Sequence, residues 1–391
     1  MASLPWSTQL AESLAERKLI GRYRSQRTRE GEQGIKVNID GQGFLSFCSN
    51  DYLGLAAHPA LKKAFIAAVD KEGVGSGAAH LLTGHSHYHE ALEQRLAEFM
   101  GQEAVLLFSS GYQANMGIID ALMSQGDLLI QDKLNHASLL DGARLSAAKS
   151  VRYQHNDMAA LERRLEQSNQ IEQKLIVSDG VFSMDGDLAP LTEIMALAQQ
   201  NNAGVLIDDA HGLGVLGQQG RGCIEHWQLD QQALPIVMGT FGKAFGTAGA
   251  FVAADKVVIE TLIQQARPYV YTTAQPAAIT AATLASLTLV QEESWRREKL
   301  QALISQFRAG AKDLGLNLLD SSTAIQPLLI GDDKRAIKIG KALEEKGILV
   351  GVIRPPTVAE GSARLRITLS ANHTEQHIIQ LLNALESINA H

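Results

Sequence analysis

Gly204-Val205-Leu206-Ile207 is a short apolar run that opens directly onto Asp208-Asp209-Ala210-His211. A run of this length, bounded by polar residues, reads as a buried strand with reactive groups at its end. The same pattern recurs on both sides. Residues 174–177 lead into Ser178-Asp179-Gly180-Val181-Phe182-Ser183-Met184-Asp185-Gly186, 236–239 into Thr240-Phe241-Gly242-Lys243, and 103–108 into Ser109-Ser110-Gly111-Tyr112. Residues 127–130 form a further apolar run. Helical patterns at 60–72, 89–100, 113–123, 158–167 and 191–201 separate several of these runs. Strands alternating with helices imply βαβ units, so the spacing predicts an α/β large domain around a mainly parallel sheet. Ligands of such sheets bind beyond the carboxyl ends of the strands, so the four strand ends are expected to meet in one crevice.

The flanks read differently. Residues 7–24 have an amphipathic helical pattern, 35–48 alternate as two short strands around a turn at 40–43, and 49–54 is rich in turn residues. From about Glu292 a long charged helix over 292–314 leads into 324–330, 334–346, 348–352, 364–369 and a last helix over 373–388, a smaller α+β unit. The expected organisation is an N-terminal helix and strands over 1–48, a large domain over 49–291 and a C-terminal domain over 292–391.

Composition narrows the function. With 45% apolar and 20% charged residues the chain has the balance of an ordinary soluble globular protein. A net charge of −7 with interspersed signs argues against a general nucleic-acid binder. The two cysteines, Cys48 and Cys223, fit no metal spacing and no disulfide framework, which favours a reducing cytoplasm. The first twenty residues carry Glu12 and Glu16 and lack the apolar core of a signal peptide. Residues 277–290 are too short to span a bilayer and read as a packed helix.

A lysine, aspartates, a histidine and small-residue turns at neighbouring strand ends are what pyridoxal phosphate needs. The amine of Lys243 can form an imine, and a carboxylate keeps the pyridine nitrogen protonated so that the ring acts as an electron sink. Backbone N–H groups at a helix start, near Gly111, suit the phosphate. His211 is placed to act at the phenolic oxygen. Lys243 stands between Gly242 and Ala244-Phe245-Gly246, an open turn that lets a planar group approach. Each signal alone is weak: a lysine after a strand is usually a surface charge, and one of Asp208 and Asp209 is expected to serve as a cap or turn. The conjunction carries the reading.

Two patterns compete with it. Gly212-Leu213-Gly214-Val215-Leu216-Gly217 fits G-x-G-x-x-G, but Gln218-Gln219-Gly220-Arg221-Gly222 follows and is no helix start, so a loop is expected in place of a dinucleotide site. His85, His87 and His89, beside His80, lie in a loop entering a helix, with Glu90 as the one carboxylate near ligand spacing, so no metal is expected.

The chain closely resembles the α-oxoamine synthases, fold-type-I pyridoxal-phosphate enzymes with an aspartate-aminotransferase-like large domain. Ordered motifs carry the resemblance: Ser49-Asn50-Asp51-Tyr52-Leu53-Gly54-Leu55, Gly75-Ser76-Gly77, Asn135-His136-Ala137-Ser138, residues 180–186, Asp208-Asp209-Ala210-His211-Gly212, Thr240-Phe241-Gly242-Lys243 and Arg354-Pro355-Pro356-Thr357. The resemblance implies that Lys243 anchors the cofactor and later moves the substrate α-proton. It assigns the pyridine nitrogen to Asp208, the phenolic oxygen side to His211 and Ser183, and the ring face to His136. Gly111 and Tyr112, joined by Thr240, would hold the phosphate. Arg354 would bind the amino-acid carboxylate, and Arg24, Asn50 and Thr357 would line the acyl side.

The family works as a homodimer with shared sites, so segments near Ser76 and Tyr271-Thr272-Thr273 would reach the partner. Residues 353–357 and 363–366 favour the member that condenses L-alanine with a pimeloyl thioester, on coenzyme A or an acyl carrier protein, in the biotin pathway. Siblings that use glycine or serine, of the aminolevulinate synthase or 2-amino-3-ketobutyrate ligase type, are the alternative. The chain departs from the family at Asp179, where Glu is common, at Leu213, where Thr is common, and at 358–361.

Overall fold

A computed structural model describes residues 4–229 and 235–389. Its strands are β1 (Arg29–Glu30), β2 (Lys36–Ile39), β3 (Gln42–Phe47), β4 (Ala104–Phe108), β5 (Leu128–Asp132), β6 (Lys149–Tyr153), β7 (Lys174–Asp179), β8 (Gly204–Asp208), β9 (Ile236–Thr240), β10 (Ala250–Ala254), β11 (Ile325–Gly331), β12 (Ile348–Ile353) and β13 (Ala363–Thr368). Seven of them form one sheet in the order β4-β10-β9-β8-β7-β5-β6. β10 runs antiparallel to both of its neighbours, and the other six run the same way. The carboxyl ends of β4, β5, β7, β8 and β9 therefore lie along one edge.

The central strands are buried on both faces, which is why they read as continuous apolar runs. Successive side chains point to opposite faces. Ile130, Ile176, Ile207 and Val237 accordingly enter one core cluster. Leu129, Leu175, Leu206 and Met238 enter the other. The second sheet, β1-β2-β3-β12-β13-β11, draws strands from both ends of the chain, with β3 parallel to β12.

One helix is shorter than the sequence expectation. It spans Ser7–Leu19 and stops short of residue 24, because Gly21 takes φ +69° and Arg22 N–H closes back onto Arg17 O at 2.8 Å. The helices expected over 277–290 and 292–314 are Ala277–Glu292 and Trp295–Asp313, so the boundary between them falls at 293–294. Buried arginines anchor the start of the second of these helices. Arg296 Nη1 donates to Leu53 O at 3.0 Å, and Arg297 donates to Val290 O at 2.6 Å and to Gln218 O at 2.7 Å. β6, β10 and the helix Ala137–Leu145 are additional to the expected elements. Among the described residues no helix is long and apolar enough to cross a membrane.

Candidate active site

The helix Gly111–Leu122 starts immediately beyond β4, with Ser110 Oγ accepting the Gln113 N–H at 3.3 Å. That cap leaves the N–H groups of Gly111 and Tyr112 directed out of the helix start, where the dipole favours an anion. A Cβ on Gly111 would meet Met238 at 3.4 Å and Thr240 at 3.8 Å, so the backbone stands close to the end of β9. β7 ends at Asp179, β8 at Asp208 and β9 at Thr240. The turn after β9 brings back Lys243, and Lys243 O accepts the Gly246 N–H at 2.9 Å. Gly246 has φ +66°, and a Cβ there would strike the backbone of Ala56, so the turn requires glycine.

These strand ends enclose a cavity of about 180 Å³ lined by Gly111, Tyr112, His136, Ser183, Asp208, His211, Thr240 and Lys243, together with Ser138, Asp179, Ala210 and Met238. All eight of the first group were singled out from sequence. Asp208 lines the cavity, whereas the neighbouring Asp209 is buried away from it, where its Oδ2 accepts the Cys223 N–H at 2.7 Å. One aspartate thus serves the cavity and the other a turn.

Four expected site residues lie outside the lining. Asn50 is connected to it: its Oδ1 accepts from the Tyr52 hydroxyl at 3.1 Å, and that hydroxyl lies 2.7 Å from His211 Nδ1. Arg24 reaches Thr357 Oγ1 at 3.4 Å, and Arg354 donates to Gly21 O, so these three tie the N-terminal segment to the loop after β12.

The residues of the two competing patterns make contacts within the fold. Residues 212–222 form turns closed by Gly214 N–H to Gly220 O at 2.8 Å, and no helix opens on Gly217. His80 and His85 meet through their Nδ1 atoms at 2.9 Å, and His89 is held between Ser86 and Gln275 O. His85 Nε2 lies 3.7 Å from Glu90 and 3.9 Å from Glu93, close enough together for these three side chains to hold a metal ion.

Residues 42–385 match the family model described as aminotransferase class I and II. The chain belongs to the class I and II aminotransferase family. Among curated relatives, this aminotransferase-family chain is 56% identical over 375 residues to 8-amino-7-oxononanoate synthase of Nitrosococcus oceani, covering 96% of this chain and 99% of the relative. It is 54% identical over 376 residues to the protein of that name in Pseudomonas putida, covering 96% of each. Among solved structures, SPT with a PLP internal aldimine superposes with a TM-score of 0.94 at 31% identity, covering 99% of both chains. The 8-amino-7-oxononanoate synthase of Francisella tularensis gives 0.76 at 32% identity, covering 88% of this chain and 97% of the other.

Pyridoxal phosphate is the cofactor of this aminotransferase-family chain, and the donor set fits it. Burial lowers the Lys243 amine to about 8 against the pull of Asp208 and Asp179. A lysine in that range is neutral often enough at physiological pH to attack an aldehyde. Burial, then Lys243, Arg366 and His136, hold His211 well below the ordinary imidazole range, so it is neutral. Burial, then the Asp208 charge, push Asp179 well above the ordinary carboxylate range.

Three further residues escaped sequence reasoning. Asn115 Nδ2 donates to Asp208 Oδ2 at 2.7 Å. Tyr52 orients His211. Arg366, buried on β13, donates through Nε to Ser183 O at 2.6 Å and through Nη1 to Asn50 Oδ1 at 3.2 Å. The signal for Arg366 was present in Ala363-Arg364-Leu365-Arg366, where two arginines alternate along a strand that is otherwise apolar.

Proposed function

We propose that the protein condenses L-alanine with a pimeloyl thioester and releases carbon dioxide, giving 8-amino-7-oxononanoate for biotin synthesis. The observation that carries this reading is the convergence of Lys243, Asp208, His136 and His211 on one cavity, in a chain 56% identical to an 8-amino-7-oxononanoate synthase.

Bound in the cavity, pyridoxal phosphate supplies an electron sink for negative charge at the amino-acid Cα. The chain's own residues supply the rest. Lys243 is the covalent anchor through Nζ, and once freed it removes the alanine Cα proton and later returns one. Asp208 would hold the proton on the pyridine nitrogen. The Gly111 and Tyr112 N–H groups, joined by Thr240, would hold the phosphate, His211 and Ser183 would serve the phenolic oxygen side, and His136 would stack on the ring. Arg24, Asn50 and Thr357 line the acyl side.

For the alanine carboxylate, Arg354 is the sequence candidate, and the geometry favours Arg366. Arg354 is bonded to Gly21 O of the N-terminal segment. Arg366 stands beside Ser183 and Asn50, and acts electrostatically on Lys243. Its guanidinium has five N–H donors, of which these two bonds use two.

The protein acts in the cytoplasm as a homodimer with shared sites, its partner contacts including the segments near Ser76 and 271–273. Exposed Val74, Leu82 and Tyr271 support that surface. The experiment is product identification by mass spectrometry, with alanine, glycine and serine each offered with pimeloyl thioesters of coenzyme A and of acyl carrier protein. A mass for 8-amino-7-oxononanoate with alanine is expected; product from glycine or serine alone would move the protein to a sibling activity.

A further inference from the structure

Asn115 lies in the first half of the helix Gly111–Leu122 and is fully buried. One of its two amide N–H groups goes to Asp208 Oδ2 at 2.7 Å and the other to Ser138 Oγ at 2.9 Å. Its own Oδ1 is buried with no partner. Turning the amide over would set that oxygen against a carboxylate, which only accepts, so Asp208 dictates the orientation. A buried acceptor without a partner is costly, and the fold keeps one here to leave both donors where they are.

The two bonds act on different groups. Ser138 Oγ accepts from Asn115, which leaves its own hydrogen free for His136 Nδ1 at 2.7 Å. The Ser138 N–H meets the same nitrogen at 3.3 Å. His136 Nδ1 is therefore an acceptor, and the ring proton sits on Nε2.

On the other side, Asp208 and Asp179 are register partners on adjacent parallel strands. Two buried carboxylates this near do not both ionise cheaply. Asp208 receives Asn115 on Oδ2 and the Ala210 N–H on Oδ1 at 3.0 Å, whereas Asp179 receives the His136 N–H at 3.2 Å. Lys243, His136, His211, Asp132, Asp209 and Arg366 are the other titratable or charged groups acting on this pair and its neighbours.

We propose that Asn115 is a positioning residue that, with one amide, selects Asp208 over Asp179 as the charged carboxylate and keeps the proton of His136 on Nε2. Its purpose rests on the cavity holding pyridoxal phosphate: a carboxylate that stays charged is what the pyridine nitrogen requires. His136 then presents a hydrogen-bond donor on Nε2 and not an acceptor.

The test compares holoenzyme with Asn115→Leu, which keeps the volume and removes both donors and the orphaned acceptor, and with Asn115→Ala, which only deletes atoms. Three quantities are read: the dissociation constant of pyridoxal phosphate by equilibrium dialysis, the pH dependence of its visible absorption on the protein, and the ¹⁵N shifts of the His136 ring. The variants are expected to bind the cofactor roughly tenfold or more weakly, the loss of one charge-assisted hydrogen bond. Their absorption is expected to titrate at a shifted pH, and the His136 signals to become a mixture of tautomers. Ser138→Ala should change the tautomer signals while leaving cofactor affinity within about threefold, since it leaves the Asp208 bond in place. Wild-type affinity, pH profile and His136 shifts in a folded Asn115 variant overturn the proposal. So does a loss of affinity that only follows a loss of melting temperature. A wild-type protein that takes up no pyridoxal phosphate would instead remove the cofactor reading itself.

Discussion

The Tyr52 hydroxyl lies 2.7 Å from His211 Nδ1, with both residues buried behind the cavity. That bond occupies one ring nitrogen and leaves only Nε2 to the cavity. The hydroxyl is in turn bonded to Asn50 Oδ1, which Arg366 holds from the other side. Tyr52→Phe should leave a buried nitrogen unsatisfied, at a cost of about 1–3 kcal/mol. Cofactor should still bind, but its visible absorption should titrate at a different pH. Urea denaturation and a spectral pH titration check both; an unchanged stability and an unchanged spectrum would refute the linkage.

Lys243 gives a prediction with a definite sign. Burial lowers its amine to about 8, and only the neutral amine attacks an aldehyde. In cofactor-free protein the rate of covalent capture of pyridoxal phosphate should rise with pH, about tenfold per unit below that value, and level off above it. Lys243→Ala should bind the cofactor without covalent capture. Stopped-flow absorbance across pH 6 to 10, as a range of about four units, reads the profile. A rate that keeps climbing towards an ordinary lysine value would place the amine in water.

Away from the cavity, His155 lies between Asp132 at 3.1 Å and Asp187 at 2.7 Å. Burial pulls its pKa down, but the two carboxylates outweigh burial and hold it up at about 10. An unfolded histidine titrates near ~6.5. The folded value lies above the unfolded one, so the stabilisation is complete below pH ~6.5 and is lost as pH rises towards about 10. His155→Phe should be less stable at pH ~6 by more than it is at pH ~9.5, and chemical denaturation of the pair at both values measures the difference. Equal losses at both values would show an uncharged His155.

Much of this site was legible because a parallel sheet puts its chemistry just after its apolar runs. Asp208 and Thr240 end their strands, His211 and Lys243 follow three residues later, and the crevice rule then gathers them. β10 was not legible. Ala250-Phe251-Val252-Ala253-Ala254 is short and alanine-rich, and nothing local says that it runs antiparallel between β4 and β9. Asn115 was hidden for a different reason. A polar residue inside a helix reads as solvent-facing, and only tertiary structure turns its amide onto Asp208. Arg366 was hidden by the same bias, since arginine is assumed exposed and here it is buried.

The two arginines make competing predictions for amino-acid binding. Arg354 is half-buried and donates to Gly21 O, so losing it loosens the N-terminal segment against the loop after β12. Arg366 is held by Ser183 O and Asn50 Oδ1, and Ser183 lines the cavity. A guanidinium fixed in this way offers a carboxylate a planar pair of donors that an ammonium does not reproduce. Arg366→Lys should therefore raise the KM for alanine by roughly tenfold or more, the worth of one charged hydrogen bond, with little change in the KM for the thioester. Arg354→Lys should act mainly on the thioester KM, because its neighbours Arg24 and Thr357 are the residues assigned to the acyl side. Steady-state kinetics with each substrate varied in turn separates the two. A larger alanine effect from Arg354→Lys than from Arg366→Lys would return the carboxylate to Arg354 and leave Arg366 as the support of Asn50, Tyr52 and His211.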